Sequence, residues 1–90
     1  MDLTETLETR LAAKGIALGE AARRAGVGRV TLWRWINGHS VPRNPQARAL
    51  ARVLKRRDET LDEVTLWVLS ASRLAVARSE SPRESAAASA

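Results

Sequence analysis

Arg29, Arg34 and Asn37 are the side chains best placed to do chemistry together in this 90-residue chain. At about 100° of rotation per helical residue they share one face with Val30 and Trp33, while Leu32, Trp35 and Ile36 fall on the other. A guanidinium is a rigid fork of N–H donors, and it matches the paired O6 and N7 acceptors that a guanine presents in the major groove. Val30 or the Trp33 ring can touch a thymine methyl or a sugar. One side of such a helix suits a DNA surface and the other suits a core.

For that face to be presented, the helix must be anchored by a second one. Ala25-Gly26-Val27-Gly28 separates two segments that each carry a helical apolar stripe. Gly26 can adopt the left-handed conformation that ends a helix, and Gly28 can stand as the N-cap of the next. About three residues then link the two, the connection length of a helix-turn-helix. Ala21, Ala22 and Ala25 give the first helix a small-residue face that the second can cross closely. The spacing predicts helices over 18–25 and 29–36.

The stretch 15–38 resembles the phage Cro and repressor family (lambda-repressor-like, XRE-type) of helix-turn-helix proteins. In that family the reading helix typically ends in Trp-x-Asn-Gly, and Trp35-Ile36-Asn37-Gly38 matches. The resemblance spans roughly residues 5 to 66. It implies an all-α, compact five-helix DNA-binding domain with Arg29, Val30 and Arg34 as base readers and Asn37 as a phosphate contact. Leu18, Gly28, Thr31, Trp33, His39, Ser40 and Arg43 complete the expected set that touches the DNA backbone or supports the reading helix. The chain departs from the family pattern at Leu18, where Gln is common, at Ala17, where a capping Ser or Thr is usual, and at Trp33, a position more often small or polar. Trp33 either packs over the neighbouring helix or meets the sugar-phosphate surface.

Charge supports the same reading. From Arg10 to Arg57 the basic residues are Arg10, Lys14, Arg23, Arg24, Arg29, Arg34, Arg43, Arg48, Arg52, Lys55, Arg56 and Arg57, against the single acid Glu20. A basic block coincident with the motif is the footprint of phosphate neutralisation. The chain has no Cys and one His, His39, so neither a disulfide framework nor a thiolate metal site is expected. There is no Gly-rich phosphate loop after a strand and no nucleophile with an evident base, which argues against an enzyme. No run approaches the roughly 18 apolar residues of a membrane span. The expected protein is soluble, sits in the cytoplasm of a bacterium or phage-infected cell, and needs no metal, cofactor or small-molecule ligand.

In chain order, Asp2 followed by Glu5 reads as an N-cap with its reciprocal partner, opening a helix over 3–14 that buries Leu3, Leu7 and Leu11. Asn44-Pro45 reads as the N-cap and first turn of a fourth helix running to about Lys55, with Ala47, Leu50, Ala51 and Leu54 inward. Thr60 and Glu63 form a capping box for an elongated last helix over about 60–78. Leu66, Trp67, Leu69, Leu74 and Val76 give that helix more apolar surface than one contact with a small domain requires, so it folds back as core, pairs two subunits or docks another protein. Residues 79–90 carry no large apolar side chain and read as a disordered tail beyond a domain of residues 1–78. Double-stranded operator DNA is the expected partner, bound by a small transcriptional regulator. An excisionase or architectural DNA-bending factor and an antitoxin-type interaction module share this fold and stand as alternatives.

Overall fold

A computed structural model describes the backbone of residues 5–89 and the side chains of residues 5–79. Five helices run in order: α1 Leu7–Ala13, α2 Leu18–Ala25, α3 Arg29–Ile36, α4 Asn44–Leu54 and α5 Leu61–Ser89. No strand occurs among the described residues. The fold is all-α, as the periodicity predicts.

The glycines punctuate α2 and α3 as their sequence implies. Gly26 ends α2 at φ 71° and ψ 29°, and Gly28 caps α3 from an extended conformation. Ala21, Ala22 and Ala25 are buried where α3 crosses α2. Ala17 makes no side-chain cap, consistent with its missing hydroxyl.

Two helix starts differ from expectation. The first helix begins at Leu7, because Thr6 is its N-cap: Thr6 Oγ1 accepts from Thr9 N–H at 3.1 Å, and Thr9 Oγ1 accepts from Thr6 N–H at 2.7 Å. Glu5 is not a helical partner of a cap at Asp2, since its carboxylate is engaged by Arg10 and Arg56. Asp2 and Leu3 lie outside the described residues; Leu7 and Leu11 are buried as predicted. In α4 the N-cap is Arg43 rather than Asn44. Its N–H donates to Gln46 Oε1 at 3.1 Å, the reach of a Gln side chain back over three residues, and Pro45 sits one place further into the first turn. At α5 the reciprocal Thr60 and Glu63 bonds are both present at 3.1 Å.

α4 packs against α5 and α2, and its Ala47, Leu50, Ala51 and Leu54 are fully inside. From α5, Val64, Trp67, Val68 and Ala71 close the core over Leu32 and Trp35. Burying each large apolar side chain contributes about 1.5–3 kcal/mol. Two hydroxyls enter this apolar layer without loss, because Thr65 and Ser72 donate to the carbonyls four residues back, at 2.7 and 2.8 Å. Past Arg78, where the sequence places its end, α5 is helical to Ser89. The side chains of 80–89 and the whole of residue 90 lie outside the described residues.

Arg10 departs from the charge reading. It is 4% exposed, so it adds nothing to a DNA-facing field. Its guanidinium lies 4.3 Å from the Trp67 ring centroid and is bonded by Glu5 and by both oxygens of Glu59 at 2.9–3.0 Å. Glu5 also takes Arg56 at 2.7 Å. Burial works against the charge on both carboxyls, yet the hydrogen bonds from Arg10, with those from Arg56, outweigh it and hold them below the usual value. The cluster ties α1 to the segment that leads into α5.

Candidate nucleic-acid interface

Helix geometry divides α3 as the sequence predicts. Leu32 and Trp35 are buried and Ile36 is packed against the core. Arg29, Val30, Trp33, Arg34 and Asn37 are all exposed. Val30 is 62% exposed and Trp33 47%, an unusual investment of apolar surface on an exposed helix face bounded by two arginines.

The neighbours of α3 set how that face is offered. Arg29 runs along the first turn of α2: its Cδ, Nε and Cζ lie 3.9–4.0 Å from where a Cβ on Gly19 would stand. A Cβ there would make ordinary van der Waals contact with the Arg29 side chain. Thr31, partly buried, sits in the first turn of α3 with Oγ1 3.6 Å from the Cβ position of Gly28. Leu18 is partly buried, and with Leu11, Ala12, Ile16 and Ile36 it lines a groove of about 340 Å³ that the Trp33 ring borders. Trp33 thus borders this apolar groove, and its ring stacks with that of His39, centroids 5.2 Å apart. Asn37 caps the helix, Nδ2 donating to Trp33 O at 2.9 Å, which leaves its Oδ1 and second amide hydrogen for a partner.

At the C-terminal end of α3, Gly38 has φ 77° and is pressed against α5. A Cβ at this position would collide with Ala75 O and lie 2.7 Å from Ala75 C. The last helix therefore sets the height of α3 above the core. His39 and Arg43 are exposed in the loop after α3 and Ser40 is half-buried. The sequence pattern marks Gly38 as a helix terminator; its contact with α5 is visible only in the fold.

The basic block is partly consumed by ion pairs. Arg24 pairs with Glu20 at 3.0 Å, Arg48 with Asp62 at 3.0 Å, and Arg56 with Glu5. Lys14 Nζ donates to Lys55 O at 2.7 Å. Among the described residues Arg29, Arg34 and Arg43 are exposed without an acidic partner, as are Arg52, Arg57, Arg73 and Arg78 elsewhere. Arg29 and Arg34 lie on α3 and Arg43 in the loop after it, so the exposed face of α3 keeps its positive charge uncompensated.

Residues 2–64, from before α1 into the first turn of α5, match the sequence model of a family described as a helix-turn-helix domain. The chain belongs to the helix-turn-helix domain family. Such domains bind DNA, and α2 and α3 of this one supply the two helices of the motif. No curated protein and no solved structure matches the chain. The helix-turn-helix match stops at Val64, so most of α5, including the part that meets Gly38, lies beyond the shared pattern. No helix among the described residues is long and apolar enough to cross a membrane.

The expected interface on the last helix is reshaped by packing. Trp67 is 2% exposed, enclosed between Arg10 and the core, and is a core residue of the single subunit; the cation over its ring and the neighbouring Val64 and Val68 leave it no outer side. Leu69, Leu74 and Val76 are half-buried. Leu66 is 62% exposed.

Proposed function

We propose that the chain is a small transcriptional regulator that reads double-stranded DNA with α3 in the major groove. The observation that carries this reading is the exposed face itself: Arg29, Val30, Arg34 and Trp33 point outward together, backed by buried Leu32 and Trp35. Arg29 and Arg34 suit guanine edges and Val30 suits a thymine methyl. Asn37, Ser40 and Arg43 lie at the end of α3 or in the loop after it, where backbone contacts fix register without reading sequence. Gly28, Thr31 and Leu18 support the helix from beneath.

The test is interference by methylated guanine. A methyl on guanine N7 fills the major-groove acceptor that an arginine fork requires. Methylation at a few guanines in the bound site is expected to block binding, and Arg34→Ala or Arg29→Ala is expected to abolish the interference at one of them. Interference confined to minor-groove adenine N3 contradicts the reading.

Exposed Leu66, with half-buried Leu69, Leu74 and Val76 on α5, supports pairing of two subunits through the last helix. Two reading helices would then address two half-sites. Sedimentation equilibrium of the wild type and of Leu66→Asp tests this: a dimer that becomes a monomer is expected, and a wild-type monomer at all concentrations contradicts it.

A further inference from the structure

Helix α3 closes in a cap that directs the side chain of the first loop residue. Gly38 supplies the left-handed residue, Asn37 N–H donates to Trp33 O at 3.0 Å, and His39 N–H reaches back to Arg34 O at 2.8 Å. A bond spanning the glycine in this way folds the next side chain over the helix's last turn, onto a residue three or four places inside the end. Here that side chain is the imidazole of His39 and the residue is Trp33. The rings stack with centroids 5.2 Å apart and an interplanar angle of 17°. Both residues are exposed, on the side of Arg34 and Asn37.

At 1.5 Å per residue the eight residues of α3 extend about 12 Å, close to the ~12 Å width of the major groove. With its N-terminal residues on base edges, the C-terminal end of such a helix is turned toward the groove's wall, and the wall is phosphate. We propose that His39, held face-on by Trp33, is a proton-linked phosphate ligand: the imidazolium bonds a DNA backbone phosphate, and the protein takes up a proton on binding duplex. The proposal rests on the reading that α3 enters the major groove.

Protonation gives the imidazole a second N–H donor and a full charge. The indole face and the carbonyl end of α3 both favour a cation at that position. Among charged neighbours, Glu8 of α1 borders the same groove as Trp33 and favours the charge. Arg34 on α3, Arg43 in the loop and Arg78 of α5, which lines the adjoining groove beside Asn37, oppose it. A bound phosphate adds negative charge beside the imidazole and so favours its protonated form, and uptake accompanies binding. The chain has one histidine and no cysteine. By ordinary side-chain values, imidazole and α-amino groups are the kinds of group here whose charge changes in the window from about pH 5.5 to 8.

The experiment measures affinity for a fluorescein-labelled duplex of random sequence against salt at about pH 8 and about pH 5.5, the two ends of that window. The slope of log affinity against log salt is expected to steepen by about 0.9 at the acidic end, one phosphate contact, with affinity at fixed salt up to about tenfold higher for each unit of linked pKa change. His39→Gln is expected to remove the pH dependence, which also excludes the α-amino group. His39→Lys is expected to give the steeper slope at both pH values. Emission from Trp33, the exposed indole beside buried Trp35 and Trp67, is expected to fall on acidification in the wild type and not in His39→Gln. Equal slopes at both pH values with binding intact, or pH dependence that survives His39→Gln, overturn the proposal and leave the reading of α3 standing. Absence of duplex binding at either pH overturns the reading of α3 and the proposal with it.

Discussion

Replacing Gly38 with alanine isolates the contact that seats α3 on α5. Two separate penalties apply. The backbone at φ 77° is strained for any residue with a Cβ, at about 1–2 kcal/mol. In addition the Cβ would collide with Ala75 O and stand 3.0 Å from Val76 N, atoms of helix backbone that cannot swing aside, so the helices must part; overpacking of this kind costs about 1–3 kcal/mol. The sum is roughly 2–5 kcal/mol, a large share of the ~5–15 kcal/mol that stabilises a small domain. Gly26 is the internal control. Its φ is 71°, yet nothing lies within 4 Å of its Cβ position, so Gly26→Ala carries only the first penalty. Thermal unfolding followed by circular dichroism reads the difference. At about 4–8 °C per kcal/mol for a domain of this size, Gly26→Ala is expected to lower Tm by roughly 5–15 °C and Gly38→Ala by at least about 5 °C more. Equal losses in the two variants would refute the claim that α5 fixes α3 through Gly38.

Arg10→Met is expected to destabilise the domain by about 2–4 kcal/mol, measured by urea unfolding, because it removes the guanidinium that bridges Glu5 and Glu59 over the Trp67 ring, leaving Glu5 only Arg56 and Glu59 only the Arg56 N–H. The full loss of a deeply buried pair is discounted here because the carboxylates keep 16% and 22% exposure. Both carboxyls are held below the ordinary 4.5. Their contribution is therefore complete at neutral pH and is lost as the pH falls below about 4.5 through their folded-state values. The wild type is expected to lose more Tm between about pH 6 and 3 than Arg10→Met does, and parallel curves would remove the cluster from the acid response. Arg34→Ala is expected to reduce discrimination between a bound site and its single-base variants by about 1–3 kcal/mol at one position, whereas Arg43→Ala is expected to weaken all sequences alike and flatten the salt slope by about one; competition binding checks both. Leu66→Asp is expected to change subunit association while leaving the stability of the dilute protein within about 0.5 kcal/mol, as befits an exposed site.

The legible parts of this fold are those decided by neighbours in sequence. Helices α2 and α3 carry the bounds that Gly26 and Gly28 imply, because a positive φ and an N-cap are local events. The outward face of α3 follows from rotation about one helix axis, and its five exposed residues are all readable from spacing. The start of α1 is not, since Asp2 with Glu5 and Thr6 with Thr9 are both acceptable caps in sequence, and Glu5 is drawn off by an arginine 51 residues away. Arg10 reads as one more cation in a basic block. Its partner Glu59 is 49 residues distant, and only the packing of α1 on α5 reveals that its charge is spent inside. Trp67 belongs to an apolar stripe either way; whether that stripe faces inward or outward depends on what the rest of the fold lays over it. The contact of Gly38 with Ala75 joins two elements that no periodicity connects.

The central claim is that the exposed face of α3 reads base sequence, and selection from a random duplex pool at rising salt tests it most directly. Salt removes the phosphate term first, so sequence preference is expected to sharpen as affinity falls. The wild type is expected to enrich a short guanine-containing motif, and Arg34→Ala is expected to relax it at one position while Arg43→Ala leaves the motif unchanged. A pool that stays random at every salt concentration, with binding intact at the lowest, would contradict base reading and reduce α3 to a phosphate-binding surface.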